Sequence, residues 1–123
     1  MNFYRCTNCN EISINMFNNN SKMLCCKNEM EELKTNTFLE EIDHHLIQVR
    51  KIGNFVTITI GKDEHPMLHV HYISWVILKT DKGIQYKYLN VGDTPIVDFL
   101  VGEDEEIINV FAYCTLHLLW SLN

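Results

Sequence analysis

The sequence predicts an all-β protein in two parts, a short metal-stapled segment followed by a β-sandwich or barrel. Four of the five cysteines lie within residues 1–35. That segment is too short to bury a sufficient apolar core, so bound metal is the expected staple. From Leu46 onward the chain instead consists of short strand-like runs separated by turn residues. The change in character predicts two domains, residues 1–36 and residues 37–123.

The second part contains five strand candidates. Phe55–Ile60 alternates apolar residues with threonine over most of its length, which is typical of a half-buried strand. The other candidates are residues 69–78, 84–89, 96–100 and 107–114, and Gly, Asn and Asp turn signals separate them. Ahead of these runs, Thr37 and Glu40 match a capping box, which predicts a short helical segment through about Asp43.

The composition is that of a folded, acidic, globular chain. Hydrophobic residues make up 46% of the sequence and charged residues 21%, and the formal net charge is −6. Such a charge argues against a broad nucleic-acid surface but leaves a small anionic substrate possible, because a small anion responds to the local field. No signal peptide or bilayer-spanning run is visible, so we expect a cytoplasmic protein with no membrane partner and with reduced thiols.

Four cysteines form the first candidate metal site. Cys6 and Cys9 have Cys-x-x-Cys spacing, and the adjacent pair Cys25 and Cys26 follows after fifteen residues. Two such pairs can complete a tetrahedral sulfur site for iron or zinc, which the spacing alone does not distinguish. Neighbouring side chains diverge, so both cysteines of the second pair can bind one ion only if the backbone turns sharply there. A disulfide is the weaker alternative in a reducing compartment.

A second candidate site combines histidines with one thiol. All six histidines fall in the second part, and they share it with the fifth cysteine: His44, His45, His65, His69, His71, Cys114 and His117. Any one of these histidines alone is more often a core or surface residue. A mixed imidazole and single-thiolate set, however, favours a redox iron or copper over structural zinc. Met67 nearby keeps a blue-copper centre open as a rival interpretation.

The residues of both clusters resemble those of one known family. The four-cysteine spacing resembles the desulforedoxin-like domain of the desulfoferrodoxins, a superoxide reductase family. The family's central motif is similar to HPM at residues 65–67 and HYISWV at residues 71–76, and its C-terminal motif to CTLHLLW at residues 114–120. His45, followed by LIQV, fits the family's first histidine. These motifs occur in the family's order across nearly the whole chain.

The resemblance implies a desulforedoxin-like domain followed by an immunoglobulin-like β-sandwich. It implies a tetrahedral iron at Cys6, Cys9, Cys25 and Cys26, and a second iron with four equatorial histidines and an axial thiolate: His45, His65, His71, His117 and Cys114. The implied activity is one-electron reduction of superoxide to hydrogen peroxide at the second iron, which keeps an open sixth position. A rubredoxin-like electron donor and a homodimer are also implied.

The sequence departs from the family pattern at several places. Asp43 and His44 stand where most relatives have Glu and Lys before the first histidine. The resemblance therefore makes these two residues the catalytic candidates. It implies that His44 is a proton source in place of lysine, since imidazole titrates near neutrality. It also implies that Asp43 is a shorter substitute for the glutamate, which in the family can occupy the sixth position of the oxidised iron. Leu118, Asn10 and Lys27 replace family glycines. His69 is interpreted as a solvent-facing or outer residue beside His71.

Two functions from other classes remain alternatives. A non-haem iron electron-transfer protein predicts a second centre that binds no small anions such as cyanide or azide. A zinc-stapled β-sandwich that binds partners predicts a colourless protein with no metal at the histidines.

Overall fold

The computed structural model describes all 123 residues, and β-strands form nearly all of the regular structure. The predicted all-β fold class is therefore confirmed. The chain divides into two compact units, Met1–Lys34 and Thr35–Asn123. The longest helical segment is a three-residue 3₁₀ turn. No helix has the length and apolar character that crossing a membrane requires.

The first unit is a small pair of antiparallel sheets. Its strands are β1 (Asn2–Arg5), β2 (Ile12–Asn15), β3 (Leu24–Cys25), β4 (Asn28–Glu29) and β5 (Glu31–Glu32). Strand β1 lies between β2 and β5, and β3 pairs with β4. Apart from Cys6, only three apolar side chains of this unit are buried: Phe3, Met30 and Leu33. So small a core contributes little stability, as expected of a segment that needs a staple.

The second unit is a sandwich of two antiparallel sheets. Two 3₁₀ turns, Leu39–Glu41 and Asp43–His45, precede seven strands: β6 (Ile47–Ile52), β7 (Phe55–Ile60), β8 (Ile73–Thr80), β9 (Gly83–Tyr88), β10 (Ile96–Leu100), β11 (Ile107–Cys114) and β12 (Leu118–Ser121). One sheet has the order β10-β7-β6 and the other β12-β11-β8-β9.

The strand predictions are mostly confirmed and the predicted capping box is wrong. Strands β7, β10 and β11 have the predicted bounds. Strand β8 begins at Ile73, because residues 68–71 form a turn closed by an isolated bridge between Leu68 and His71. Phe38, not Thr37, precedes the first 3₁₀ turn, and no side chain caps that turn.

The core lies between the two sheets and follows the strand alternation. Val56, Ile58 and Ile60 on β7 have no exposed surface, whereas Thr57 and Thr59 between them are half-buried. The inner face of the other sheet contributes mainly aliphatic side chains: Val76, Leu78, Val110 and Ala112. Each large aliphatic side chain buried in this way stabilises the sandwich by about 1.5–3 kcal/mol.

Candidate metal centres

One end of the sandwich gathers five side chains that can bind metal. His45 ends the second 3₁₀ turn, His65 and His71 lie in the β7–β8 loop, Cys114 is the last residue of β11, and His117 lies in the turn before β12. Backbone hydrogen bonds join these segments, among them the 2.8 Å bond from Gly61 N to Leu46 O. A similar 3.0 Å bond joins Thr115 N to Tyr72 O. Residues far apart in sequence are therefore held together by the main chain.

The imidazole rings of His45 and His65 point their unprotonated nitrogens at each other. His45 Nδ1 lies 2.8 Å from Glu41 O, and His65 Nδ1 lies 2.6 Å from Pro66 O. A carbonyl oxygen only accepts hydrogen bonds, so each Nδ1 must carry the proton and donate it. Each neutral ring then has an unprotonated Nε2, and these two Nε2 atoms are 3.1 Å apart. Two acceptors at this distance repel each other unless a cation lies between or beside them.

His71 and Cys114 complete the same cluster. The ligand atoms of His45, His65, His71 and Cys114 all lie within 4.8 Å of one another. His71 Nε2 is buried and has no hydrogen-bond partner. A buried polar atom without a partner is destabilising by about 1–3 kcal/mol. Bound metal would give this atom the partner that the protein itself does not supply.

His117 joins the cluster through the thiol. Its Nδ1 lies 3.9 Å from Cys114 Sγ, and its backbone N–H donates to the same sulfur at 3.3 Å. His117 also forms a group with Glu41 and His45 whose ligand atoms lie within 4.8 Å of one another. No single such group contains all five predicted residues, but His45 and Cys114 each connect His117 to the other three.

Burial keeps His45, His65 and His71 in the neutral form at pH 7. Desolvation lowers the pKa of His45 and the pKa of His65 to about 4, and it also lowers the pKa of His71. Neutral imidazole is the form that binds metal. Desolvation raises the pKa of the Cys114 thiol, so a bound cation is what would favour its thiolate. The four imidazoles and single thiolate therefore fit a redox-active iron or copper ion.

The four remaining cysteines form a second cluster in the first unit. The Sγ atoms of Cys6, Cys9, Cys25 and Cys26 lie within 4.8 Å of one another, and none forms a disulfide. Cys25 Sγ is 3.6 Å from Cys9 Sγ and 3.9 Å from Cys26 Sγ. Four sulfurs placed tetrahedrally around a metal at 2.3 Å would be about 3.8 Å apart. The observed separations therefore fit a tetrahedral ion.

The backbone turns sharply at the adjacent cysteine pair. Cys26 and Lys27 have φ values of 52° and 63°, so two successive residues adopt the left-handed conformation. This turn brings the side chain of Cys26 beside that of Cys25, so both thiols can bind one ion. Backbone N–H groups of Cys9 and Asn8 are the main cause that lowers the pKa of the Cys6 thiol to about 7, which favours a thiolate ligand.

Comparison with known proteins places the chain in a family. The sequence model of the desulfoferrodoxin family matches residues 42–123. The chain belongs to the desulfoferrodoxin family. It is 31% identical to a desulfoferrodoxin homolog of Archaeoglobus fulgidus, covering 98% of this chain and 95% of that protein. It is 30% identical to desulfoferrodoxin of Nitratidesulfovibrio vulgaris, covering 96% and 92%. Among solved structures, the superoxide reductase from Treponema pallidum has a TM-score of 0.81 and 30% identity, covering 98% of this chain and 96% of its own.

Asp43 and His44 directly precede His45 in the second 3₁₀ turn. The His44 side chain is exposed and its Nδ1 lies 2.7 Å from Glu41 Oε2. The hydrogen bond with Glu41 is the main cause that raises the pKa of His44, and the same bond lowers the pKa of Glu41. Asp43 is also exposed, and its backbone carbonyl accepts a hydrogen bond from Lys62 N. Asp43 is in none of the candidate metal groups, whereas Glu41 is in one.

Glu41 is the candidate that sequence reasoning missed. It lies four residues before His45, a spacing that would put the two side chains about one turn apart on the same side if the predicted helical segment continued to His45. That spacing was the available signal. His69 is exposed and outside the cluster, in agreement with its interpretation as a solvent-facing residue.

Proposed function

We propose that this protein is a superoxide reductase, in which superoxide takes up one electron and two protons and leaves as hydrogen peroxide. The proposed iron ligands are the residues clustered at one end of the sandwich: His45, His65, His71, His117 and Cys114. The main support is the 3.1 Å distance between His45 Nε2 and His65 Nε2, two unprotonated nitrogens that lie beside the buried thiol of Cys114. Similarity to proteins named superoxide reductases favours iron over copper at this donor set.

Iron held by these residues would supply one electron per superoxide and a coordination position that the protein leaves free. The chain's own residues set the charge and the access around it. Imidazole ligands carry no negative charge, so among the five proposed ligands only the Cys114 thiolate is charged. Iron(II) bound to one thiolate would keep one positive charge, which attracts an anion. The His117 N–H, which lies 3.3 Å from Cys114 Sγ, stabilises the thiolate form.

We assign the carboxylate role expected of Asp43 to Glu41. The Glu41 side chain contacts His44 and groups with His45 and His117, whereas no comparable contact supports Asp43. Glu41→Gln should therefore alter the visible spectrum of the oxidised iron, and Asp43→Asn should leave it unchanged. The reverse pattern would return the role to Asp43.

His44 is the proposed source of a proton for the departing peroxide. Its imidazole is exposed to solvent and hydrogen-bonded to Glu41, so a proton can reach it from bulk water and pass toward the site. His44→Ala should slow the release of peroxide, and His44→Lys should restore it. Equal release rates in all three proteins would remove His44 from the mechanism.

Rapid mixing of the reduced protein with superoxide tests the proposed activity. The spectrum of the second centre should change to that of the oxidised form in the wild type and fail to do so in Cys114→Ser. Cys9→Ser is the matched control, because it changes a thiol of the other cluster and should leave this oxidation fast. Unchanged kinetics in Cys114→Ser would contradict the proposal. A second centre that binds neither cyanide nor azide would instead favour an electron-transfer protein.

The other cluster is proposed to hold a second iron in its own domain. We propose that residues 1–36 and 37–123 are separate domains and that iron at Cys6, Cys9, Cys25 and Cys26 relays electrons or stabilises the fold. Turnover of Cys9→Ser with an external donor distinguishes these roles. Loss of turnover indicates a relay, and retained turnover with a lower melting temperature indicates a structural ion.

The proposal also covers the protein's location, its oligomeric state and its electron donor. We propose a cytoplasmic homodimer that receives electrons from a rubredoxin-like donor. Ile52, Phe55 and Leu100 are exposed apolar neighbours on the β10-β7-β6 sheet, and this apolar row supports self-association. Sedimentation velocity should show a dimer that Phe55→Glu dissociates. A wild-type monomer at all concentrations would exclude the dimer.

A further inference from the structure

Trp120 contacts two residues of the histidine cluster. It lies on β12 opposite Ala112 of β11, and only 3% of its surface is exposed. Its ring stacks on the imidazole of His45, with centroids 4.3 Å apart and planes inclined by 5°. Its indole Nε1–H donates to the carbonyl oxygen of His117 at 3.1 Å. One side chain therefore holds two proposed ligands that come from distant parts of the chain.

The two contacts constrain different degrees of freedom. His45 is already tied at Nδ1 to Glu41 O, so the stack on its face removes the remaining freedom to rotate about that hydrogen bond. The bond to His117 O fixes the backbone of the turn that carries both His117 and, three residues earlier, Cys114. Side chains that hold a ligand's orientation in this way commonly change metal affinity by about 10–100-fold when removed.

The stack also depends on the charge of the imidazole. A metal bound at Nε2 withdraws electron density from the His45 ring, and an indole face attracts a ring that is electron-poor. The contact with Trp120 should therefore be stronger in the metal-bound protein than in the metal-free protein. A tryptophan that only filled the core would show no such difference.

We propose that Trp120 is a positioning residue of the histidine centre, whose indole fixes the plane of His45 and the turn before β12 for metal binding. This inference rests on the proposed metal centre. Trp120 does not touch the substrate, and its effect passes through the two histidines that it contacts.

Cobalt(II) affinity measured against a competing chelator tests the inference with full-length protein. Trp120→Phe keeps an aromatic ring on His45 but loses the N–H donor, and Trp120→Leu loses both. We expect affinity at the histidine centre to fall about 10–100-fold in the Leu variant and by a smaller factor in the Phe variant. Trp75→Phe is the matched control, because it changes the other tryptophan, which stacks on Tyr113. It should bind as the wild type does, and the four-cysteine site should be unaffected in every variant.

Fluorescence gives a second readout that does not depend on replacing Trp120. The chain has two tryptophans, so Trp120 is the sole one in Trp75→Phe. Its emission should fall as cobalt fills the histidine centre. If both Trp120 variants retain the wild-type affinity, the inference is wrong. If Trp120→Leu does not fold, the test rests on two measurements. Wild-type cobalt affinity in Trp120→Phe, together with no change of Trp120 emission when cobalt binds to Trp75→Phe, would contradict the inference. If the wild type binds cobalt only at its four cysteines, the proposed histidine metal centre itself is wrong.

Discussion

Leu118 lies in a backbone conformation that suits glycine, and this gives a quantitative test of the structure. It follows His117 directly and has a φ of 62°. A side chain in the left-handed region costs about 1–2 kcal/mol, while glycine loses about 0.5–1 kcal/mol more backbone entropy on folding. Apart from any loss of side-chain packing, replacing such a residue with glycine should therefore raise the free energy of unfolding by about 0.5–1 kcal/mol.

The comparison that isolates this gain is Leu118→Gly against Leu118→Ala. Both variants lose the half-buried leucine side chain, and they differ only in whether a Cβ remains at positive φ. In a unit of this size, about 1 kcal/mol shifts the melting temperature by roughly 4–8 °C. Scanning calorimetry of the metal-free protein should therefore show the Gly variant melting several degrees above the Ala variant.

Gly53→Ala provides the control of opposite sign. Gly53 has a φ of 59°, and a Cβ built there meets no atom within 4 Å. Its substitution should therefore destabilise the protein by the strain alone, about 0.5–1 kcal/mol. Equal melting temperatures for Leu118→Gly and Leu118→Ala, beside a clear loss in Gly53→Ala, would show that Leu118 is not strained.

Three further predictions concern stability. Lys27→Gly should raise the melting temperature of the metal-loaded first unit, since Lys27 is exposed and has a φ of 63°; a decrease would contradict the observed turn. Gly61→Ala should destabilise by more than about 2 kcal/mol in denaturant titration, because its Cβ would overlap Asp63 O; a loss no larger than that of Gly53→Ala would contradict this contact. Glu105→Gln should lower the melting temperature at pH 7, because the Gly102 N–H and the Thr80 hydroxyl lower the pKa of Glu105. The stabilisation by a lowered carboxyl pKa is present above the unfolded value of about 4.3 and is lost as pH falls through the folded value, so a difference that persists at pH 2 would contradict the assignment.

Much of the fold could be predicted because its strands obey simple periodicity. Phe55–Ile60 alternates exposed or half-buried residues with buried ones, and its bounds could be predicted from the sequence. The start of β8 was not, because residues 68–71 close a local turn that the run of apolar and histidine residues does not signal. The capping-box prediction failed because Phe38, without any side-chain hydrogen bond, precedes a 3₁₀ turn in which no longer helix develops.

For the candidate metal centres, the sequence likewise predicts some features and not others. Sequence spacing and family motifs identified the residues that converge, but not how each ring is held. The tautomers of His45 and His65 follow from carbonyl oxygens placed by tertiary structure, and those oxygens have no sequence signature. Glu41 lies four residues before His45, but that spacing gives no sign of His117, and only the folded 3₁₀ turns bring the Glu41 carboxylate beside it.

The proposed iron centre is tested most directly by a crystal structure of the iron-loaded protein with anomalous diffraction at the iron edge. We predict one iron at the end of the sandwich, bonded to His45 Nε2, His65 Nε2, His71 Nε2, His117 Nδ1 and Cys114 Sγ. An iron bonded to Glu41, His45 and His117 without the thiolate, or no iron at this end, would contradict the proposed centre.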